Sequence, residues 1–525
     1  MKVLDCAHFK EMLVSGANNL ANKHEEINKL NVFPVPDGDT GTNMNMTFGS
    51  GVAEVSKVMS DHVGDTCKLL SKSMLMSARG NSGVILSQIF KGVYKSVAEK
   101  QKVTSADLAE AFVNGSRIAY RAVMRPVEGT ILTVSREASD YGKHHVDNNP
   151  DTTIEQYFDV LLKEARESLS RTPDLLPVLK EVGVVDSGGA GLVAVLEGFV
   201  AYLKGRPVGV KNAAAEEEEK ELGYCVEAVV KLTKSFDEKR ISNAVGKTGS
   251  IINLCGAANE AKVHVHSLKP GDIISTLQTF GELMSVKIDN LAVSHTVMLS
   301  YEDNQPKEKY AIITVCNGDG IVDMFHNLGV TNFINGGQTM NPSTESFVSM
   351  IEKINADNII ILPNNGNIIL AAEQSREVLS DRNITVLPTK TIPEGIAACV
   401  VFNPEGELEE NIEEMKAAVA NVTTGSVTHA IKDTSFNGIQ IKEGDFMAIK
   451  GKDIVASLPD MMETSRALLD ALISDDTSVV TIIYGSEATK EQAEQLQKYV
   501  VSEYDVDCDV TDGKQDLYPF IVGVE

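Results

Sequence analysis

Apolar residues recur every three or four positions through the first two hundred residues. Phe9, Leu13, Ala17, Leu20 and Ile27 mark one such stripe, and Leu108, Phe112 and Ala119 another. That spacing places side chains on one face of a helix. Thr104 with Asp107, and Thr152 with Glu155, stand where an N-cap and its N3 partner belong. About seven or eight consecutive helices with almost no strand are therefore expected over residues 1–204. The most Gly-rich places, Asp37–Gly41, Arg79–Gly83 and Asp186–Gly191, fall between these helices. The unusual backbone of this all-α segment is thus concentrated at helix starts.

The pattern then changes. Gly205-Arg-Pro-Val-Gly leads into Ala213-Ala-Ala-Glu-Glu-Glu-Glu-Lys220, a small-residue, charged stretch that reads as a solvated linker over 205–221. Residues 222–300 predict strands at 222–232, 250–255, 262–266 and 284–291, with helices at 236–246 and 271–282. That βαββαβ order is the ferredoxin-like α+β pattern. A polar bridge, Glu302–Glu308, follows. From 309 to 525 short apolar strands (Tyr310–Val315, Asn358–Leu362, Asn383–Leu387) alternate with helical stretches, predicting an α/β domain with a largely parallel sheet. Its second half adds strands at Gly425–Ile431, Phe446–Ile449 and Val479–Tyr484 and helices at 460–473 and 489–500.

Length agrees with this division, since 525 residues suit about three domains of ~150 residues each. Acidic residues number 74 against 48 basic ones, a formal charge of −26. This disfavours nucleic acid or an anionic membrane as the main partner. No apolar run reaches membrane-spanning length, the N-terminus lacks a signal-type apolar core, and seven scattered cysteines suggest no disulfide framework. A soluble cytoplasmic protein is expected.

The chemistry gathers at the helix starts. In Asn31-Val-Phe-Pro-Val-Pro-Asp-Gly-Asp-Thr-Gly-Thr-Asn-Met44, the carboxylates Asp37 and Asp39 flank one glycine. Their mutual repulsion is offset most simply by a bound cation. Thr40, Thr42 and Asn43 follow at a helix start, where free N–H groups favour an anion. Ser77-Ala-Arg-Gly-Asn-Ser-Gly83 precedes an apolar helix, with Gly80 and Gly83 permitting close backbone approach and Asn81 and Ser82 as further donors. Arg125–Thr130 and Val185–Gly191, the latter with Arg171 upstream, are two more such starts. Cation and anion together suggest a metal–phosphate site built from four loops. Val245-Gly-Lys-Thr248 is not a Walker A loop, because Ile241 occupies the position of its first glycine.

The Asp37–Met44, Gly80–Gly83 and Asp186–Gly191 motifs resemble the ATP-binding L subunit of dihydroxyacetone kinase. With Gly336-Gly-Gln-Thr-Met-Asn-Pro-Ser-Thr344 and the downstream domains, nearly the whole chain resembles the catalytic subunit of bacterial fatty acid kinase. The resemblance implies an antiparallel helical barrel binding ATP and Mg²⁺ at one end. Asp37 and Asp39 would hold magnesium. Thr40, Asn43, Met44, Gly80, Asn81, Ser82, Gly83, Thr130, Arg171 and Asp186 would line the nucleotide. The L subunit's third aspartate has no counterpart, because Val32 stands in its place with Asn31 adjacent.

In the middle domain His264 and His266 lie two apart on a predicted strand and so share a face. First and third strands are neighbours in a ferredoxin-like sheet, which would bring Cys225 alongside. Cys with two His suits zinc, and the resemblance favours that reading. In the third domain Cys316–Gly320, Gly336–Thr344, Pro363–Gly366 and Pro388–Thr391 each follow a strand, where α/β sheets bind ligands. Ser343 or Thr344 is read as an N-cap. This domain is similar to fatty-acid-binding partner proteins and is expected to serve partner docking or homodimerisation. The expected activity is ATP-dependent phosphorylation of a fatty acid carboxylate, the acid being presented by a separate fatty-acid-binding protein and the acyl phosphate feeding phospholipid synthesis. A dihydroxyacetone-type kinase and a non-catalytic lipid-sensing scaffold are the alternatives.

Overall fold

The computed structural model describes residues 1–31, 38–210, 224–233, 238–246, 250–257, 260–290, 307–337, 341–430, 433–436, 438–451 and 453–525. Helical periodicity in the first segment becomes α1 (Cys6–Asn28), α2 (Thr40–Lys57), α3 (Val63–Ser77), α4 (Gly80–Val97), α5 (Ser105–Ala122), α6 (Ile131–Asn148), α7 (Ile154–Leu175), the short α8 (Pro177–Val182) and α9 (Ser187–Leu203). Among the described residues the expected near-absence of strand is relieved by a two-residue pairing, β1 (Val3–Leu4) with β2 (Val103–Thr104). Thr104 and Asp107 form the anticipated capping box at α5.

At α7 the cap is one residue later than the sequence suggests: Thr153 and Gln156 form the box instead of Thr152 and Glu155. Both displaced residues are otherwise engaged. The Thr152 hydroxyl donates to the Asn149 carbonyl at 2.6 Å, and Glu155 accepts from the N-terminal ammonium of Met1 at 2.5 Å.

From α1 to α8 each helix packs on the next, and α9 returns to lie against α1, α2, α6 and α7. The apolar stripes meet in a core that includes Leu13, Phe48, Phe90, Tyr157, Phe158 and Phe199. Phe158 meets Phe112 and Phe199 edge-on, an arrangement that aligns ring edges with ring faces.

Residues Val210–Gln305 form a separate compact unit. It contains β3 (Tyr224–Leu232), α10 (Glu238–Val245), β4 (Ser250–Ala257), β5 (Glu260–Ser267), α11 (Pro270–Gln278) and β6 (Gly281–Asn290). The strands are antiparallel in the order β4-β5-β3-β6, so the first and third are neighbours. Val226, Ala228, Val230, Val263 and Val265 bury one face of the sheet with Ile241, Val245, Ile273 and Leu277 of the two helices.

Residues Pro306–Glu525 belong to the same compact unit as Met1–Gly209. They begin with β7 (Glu308–Cys316), α12 (Asp319–Asn327), β8 (Asn332–Asn335), α13 (Thr344–Glu352), β9 (Ala356–Leu362), α14 (Ile369–Val378), β10 (Ile384–Val386), α15 (Ile392–Val400) and α16 (Leu408–Asn421). The four strands form a parallel sheet in the order β10-β9-β7-β8. The chain then makes β11 (Thr423–His429), the hairpin β12 (Thr434–Phe436) and β13 (Ile439–Ile441), β14 (Phe446–Lys450) and β15 (Asp453–Leu458). It ends with α17 (Met461–Leu472), β16 (Val479–Tyr484), α18 (Lys490–Tyr504), β17 (Asp507–Asp512) and β18 (Phe520–Val524).

The second sheet, β15-β14-β11-β18-β16-β17, corrects the expectation of a largely parallel architecture. Only its β16–β17 pair is parallel. β14 ends at Lys450 and β15 begins at Asp453, a separation that only antiparallel neighbours accept.

The helical and α/β segments share a core. Ala78 and Val84 are buried with Ile313, Val315, Phe347, Ile361 and Ile368. Above it, Gln88 Nε2 donates to Gln374 Oε1 at 2.7 Å, both side chains being about 97% buried or more. Gln88→Ala leaves the Gln374 amide without this partner. It is expected to cost about 1–2 kcal/mol of stability, read as a lower denaturant midpoint, whereas the Gln88→Ala, Gln374→Ala double variant should lose less than twice that.

Candidate nucleotide and metal site

Four helix starts meet around the first turns of α2. The N-cap of α2 is Asp39, yet its carboxylate makes no cap hydrogen bond, because it accepts instead from the side-chain amides of Asn43 and Asn341. The amide end of α2 is served by Asn28 at the end of α1: its Oδ1 accepts from Thr42 N at 3.1 Å and its Nδ2 donates to the Thr42 hydroxyl at 2.9 Å. Burial holds the Asp39 carboxyl above the usual carboxylate range, against the lowering effect of those two amide donors. A half-buried carboxylate in that condition is relieved by a cation.

The second start, α4, is reached through Gly80 at φ +58°. A side chain is excluded there twice over, by the left-handed backbone and by Asn43 Nδ2, which a Cβ would approach to 2.6 Å. Thr47 Oγ1 accepts from Arg79 N at 3.3 Å, tying α4 to α2. The half-buried Ser82 and the buried Gly83 lie on the first turn. Asn81 turns elsewhere: its Nδ2 donates to Asn367 Oδ1 at 3.3 Å, across to the α/β segment.

The third and fourth starts meet each other. Asp186 caps α9 by accepting from Gly189 N at 2.6 Å, and it also accepts from Ile131 N at the start of α6, which Thr130 caps. Ser187 Oγ donates to Thr40 Oγ1 at 3.3 Å, and Met44 fills the space over Gly191. Arg171 is placed differently from the others. Its guanidinium pairs with Glu137 at 2.8 Å and Glu164 at 2.7 Å on the faces of α6 and α7.

Burial pushes the Asp186 carboxyl up to about 6, with the two backbone donors opposing. The folded state therefore holds this proton more tightly than the unfolded chain, whose carboxyl titrates near 3.8. The associated stability is complete below that value and is lost as pH rises through about 6. Asp186→Asn keeps a capping oxygen without the charge. It is expected to exceed the wild type by about 1–2 kcal/mol at pH 8, discounted for partial exposure, with the gap closing toward pH 4 in denaturant melts.

Asp37 and Val32 lie outside the described residues, as do the side chains of Cys225, His264 and His266. The backbone register sets Cys225 opposite His266 and Glu227 opposite His264 across β3 and β5. Among the described residues no group of three or more His, Cys, Asp and Glu converges. No helix among them is long and apolar enough to cross a membrane.

Sequence spacing does not link Asn341 to Asp39, 302 positions earlier. Its sole signal is membership of the Gly336–Thr344 stretch, which as a strand-end loop points to the α/β sheet rather than to the helices. The other strand-end loops line a cleft of about 940 Å³, with Asn317, Gly336, Asn364, Asn365, Lys390 and Thr391 among its walls. Ser343 caps α13 by accepting from Ser346 N at 3.2 Å.

Three family models match the chain in succession: the DAK2 domain over residues 34–201, the FakA-like middle domain over 221–298 and the FakA-like C-terminal domain over 311–525, the last two being described for one subunit of fatty acid kinase. Protein YloV of Bacillus subtilis is 42% identical over the full length of both chains. The chain belongs to the FakA-like family of fatty acid kinase. Another full-length relative of this kinase family is the Staphylococcus aureus protein SAR1202, 40% identical over 98% of each chain. A solved structure titled as fatty acid binding by a DegV family protein from Thermus thermophilus aligns with 41% of this chain and 99% of its own, at 12% identity and a TM-score of 0.31, too low to bear on fold or function. In this FakA-like chain the DAK2 match covers all four helix starts.

Proposed function

We propose that this protein is an ATP-dependent phosphotransferase acting on the carboxylate of a fatty acid held by a separate fatty-acid-binding protein, with the acyl phosphate passing to phospholipid synthesis. The observation that carries the reading is the meeting of four helix N-termini around the first turns of α2, whose N-cap is the half-buried carboxylate Asp39, in a chain of a kinase family. Helix starts present free N–H groups to phosphate oxygens, and a carboxylate among them calls for a bridging cation. In this reading Thr40, Asn43, Met44, Gly80, Asn81, Ser82, Gly83, Thr130 and Asp186 surround the nucleotide, Asn81 through its backbone, since its side chain bonds Asn367. Arg171 acts from the rim.

The residues fit a magnesium ion. Asp39 supplies a hard oxygen ligand, with Asp37 as its proposed partner, and a buried oxygen of its hydrogen-bond partner, Asn341 Oδ1, has no hydrogen-bond partner among the described residues. When bound, magnesium neutralises charge on the phosphates and orients them. The chain's own part is to fix the nucleotide through backbone donors and to exclude competing geometries. A carboxylate acceptor is already ionised at neutral pH, so no side-chain base or nucleophile is assigned. We assign zinc to Cys225, His264 and His266 in a ferredoxin-like middle domain, and partner docking or homodimerisation to the α/β segment. The acceptor's arrival on another protein accords with a family described as one subunit of its kinase. The setting is the cytoplasm.

ATP consumption should require the complete mixture of protein, Mg²⁺, ATP, fatty acid and its binding protein. Turnover with dihydroxyacetone alone would refute the acceptor assignment. Metal analysis of purified protein should find zinc, lost from a His264→Ala, His266→Ala variant.

A further inference from the structure

We infer that Asn341, delivered by the α/β segment, is a working part of the metal–phosphate site and turns its side-chain oxygen toward Mg²⁺ or a water bound to it. The inference rests on the nucleotide reading above. Asn341 is 3% exposed. Its Nδ2 donates to Asp39 Oδ2, and the orientation of the amide is settled by that contact, because an ionised carboxylate accepts only and cannot face the amide oxygen. Oδ1 of the same amide is therefore the atom turned away from the Asp39 carboxylate oxygen, and it is buried without a hydrogen-bond partner among the described residues. A buried, unpaired carbonyl oxygen is costly. A hard cation, or water polarised by one, is the ligand that suits an oxygen so close to a half-buried carboxylate.

The placement of Asn341 is built in. Arg79 Nη1 donates to the Asn341 carbonyl at 2.9 Å, and Thr344 N donates to the Ala78 carbonyl at 3.2 Å. Arg79 and Ser343 pair as an isolated bridge. Pro342 restricts the backbone between these anchors. The same two residues that precede α4 thus hold the loop that reaches Asp39. This also meets the gap at Val32, where the dihydroxyacetone kinase L subunit has an aspartate: the additional oxygen comes from a distant part of the chain, as a neutral group.

The test is calorimetric titration of Mg²⁺ into the intact protein with ADP present, so that no turnover intervenes, together with thermal melts. Asn341→Ala should raise the Mg²⁺ midpoint about tenfold or more, the usual effect of removing a partner next to a metal ligand, while ADP binding without Mg²⁺ stays unchanged. Asn341→Asp keeps an oxygen in place. Its midpoint should remain at or below that of the wild type, and its melting temperature should gain more from Mg²⁺, because the added carboxylate is unfavourable beside Asp39 until a cation arrives. A wild-type midpoint in Asn341→Ala, or equal weakening in the Ala and Asp variants with unaltered melts, would reduce Asn341 to a packing residue. Absence of any Mg²⁺-dependent ADP binding by the wild type would instead remove the nucleotide reading, and this inference with it.

Discussion

Asp39→Ala is expected to lower Mg²⁺-dependent ATP turnover by about 10³-fold or more, and the Asp37→Ala, Asp39→Ala double variant to abolish it. A metal bound in a phosphoryl-transfer site supplies several kcal/mol of charge stabilisation, and each 1.36 kcal/mol is tenfold in rate. The effect on folding should be small by comparison. Removing Asp39 relieves a carboxylate whose burial is unfavourable, but it also deprives Asn43 and Asn341 of their acceptor. These oppose one another, so the melting temperature should move by only a few degrees while activity collapses. A coupled ATP-consumption assay on melt-matched samples separates the two quantities. Unchanged turnover in the double variant would refute the magnesium assignment.

The second large effect concerns the approach of α2 to α1. Gly41 lies so near the end of α1 that a Cβ would overlap the His24 carbonyl oxygen and sit 2.9 Å from Asn28 Oδ1. Helix propensity alone favours alanine at this position by about 1 kcal/mol. The clash is with backbone, which cannot rotate away, and overpacking of that kind costs about 1–3 kcal/mol or more. Gly41→Ala should therefore destabilise by about 2–3 kcal/mol net, seen as a fall of several degrees in melting temperature. Because Asn28 also holds Thr42, the start of α2 should shift with it and nucleotide binding weaken. A variant as stable as the wild type would mean that α1 and α2 separate freely.

The helical segment was the most legible part of the chain because its signals are local. A capping box needs only four residues, and Thr104–Asp107 forms as read. The Thr152–Glu155 reading failed by one position because Glu155 answers to Met1, 154 residues away. The parallel sheet of β7 to β10 was visible as buried apolar runs, whereas the directions of β15, β17 and β18 are set by their partners in the sheet. At the candidate site, glycine-rich helix starts identified Thr40, Gly80 and Asp186 by type. The ion pairs of Arg171 with Glu137 and Glu164 lie on the faces of α6 and α7 and are not readable from its place upstream of a phosphate loop. The same is true of Asn341. Its hydrogen bond to Asp39 follows from the docking of two segments through Ala78, Val84, Gln88 and Gln374, and no periodicity encodes that docking.

The distance along the chain between Asp39 and Asn341 also sets an order of events during synthesis. With 302 positions between them and translation at about 5–20 residues per second, roughly 15 to 60 s separate the two residues' polymerisation. A nascent helical segment already has its glycine turns and its half-buried carboxylate, but not the amide that faces it. The site is finished late, so a ribosome-bound chain is expected to bind the metal–nucleotide complex more weakly than the released protein.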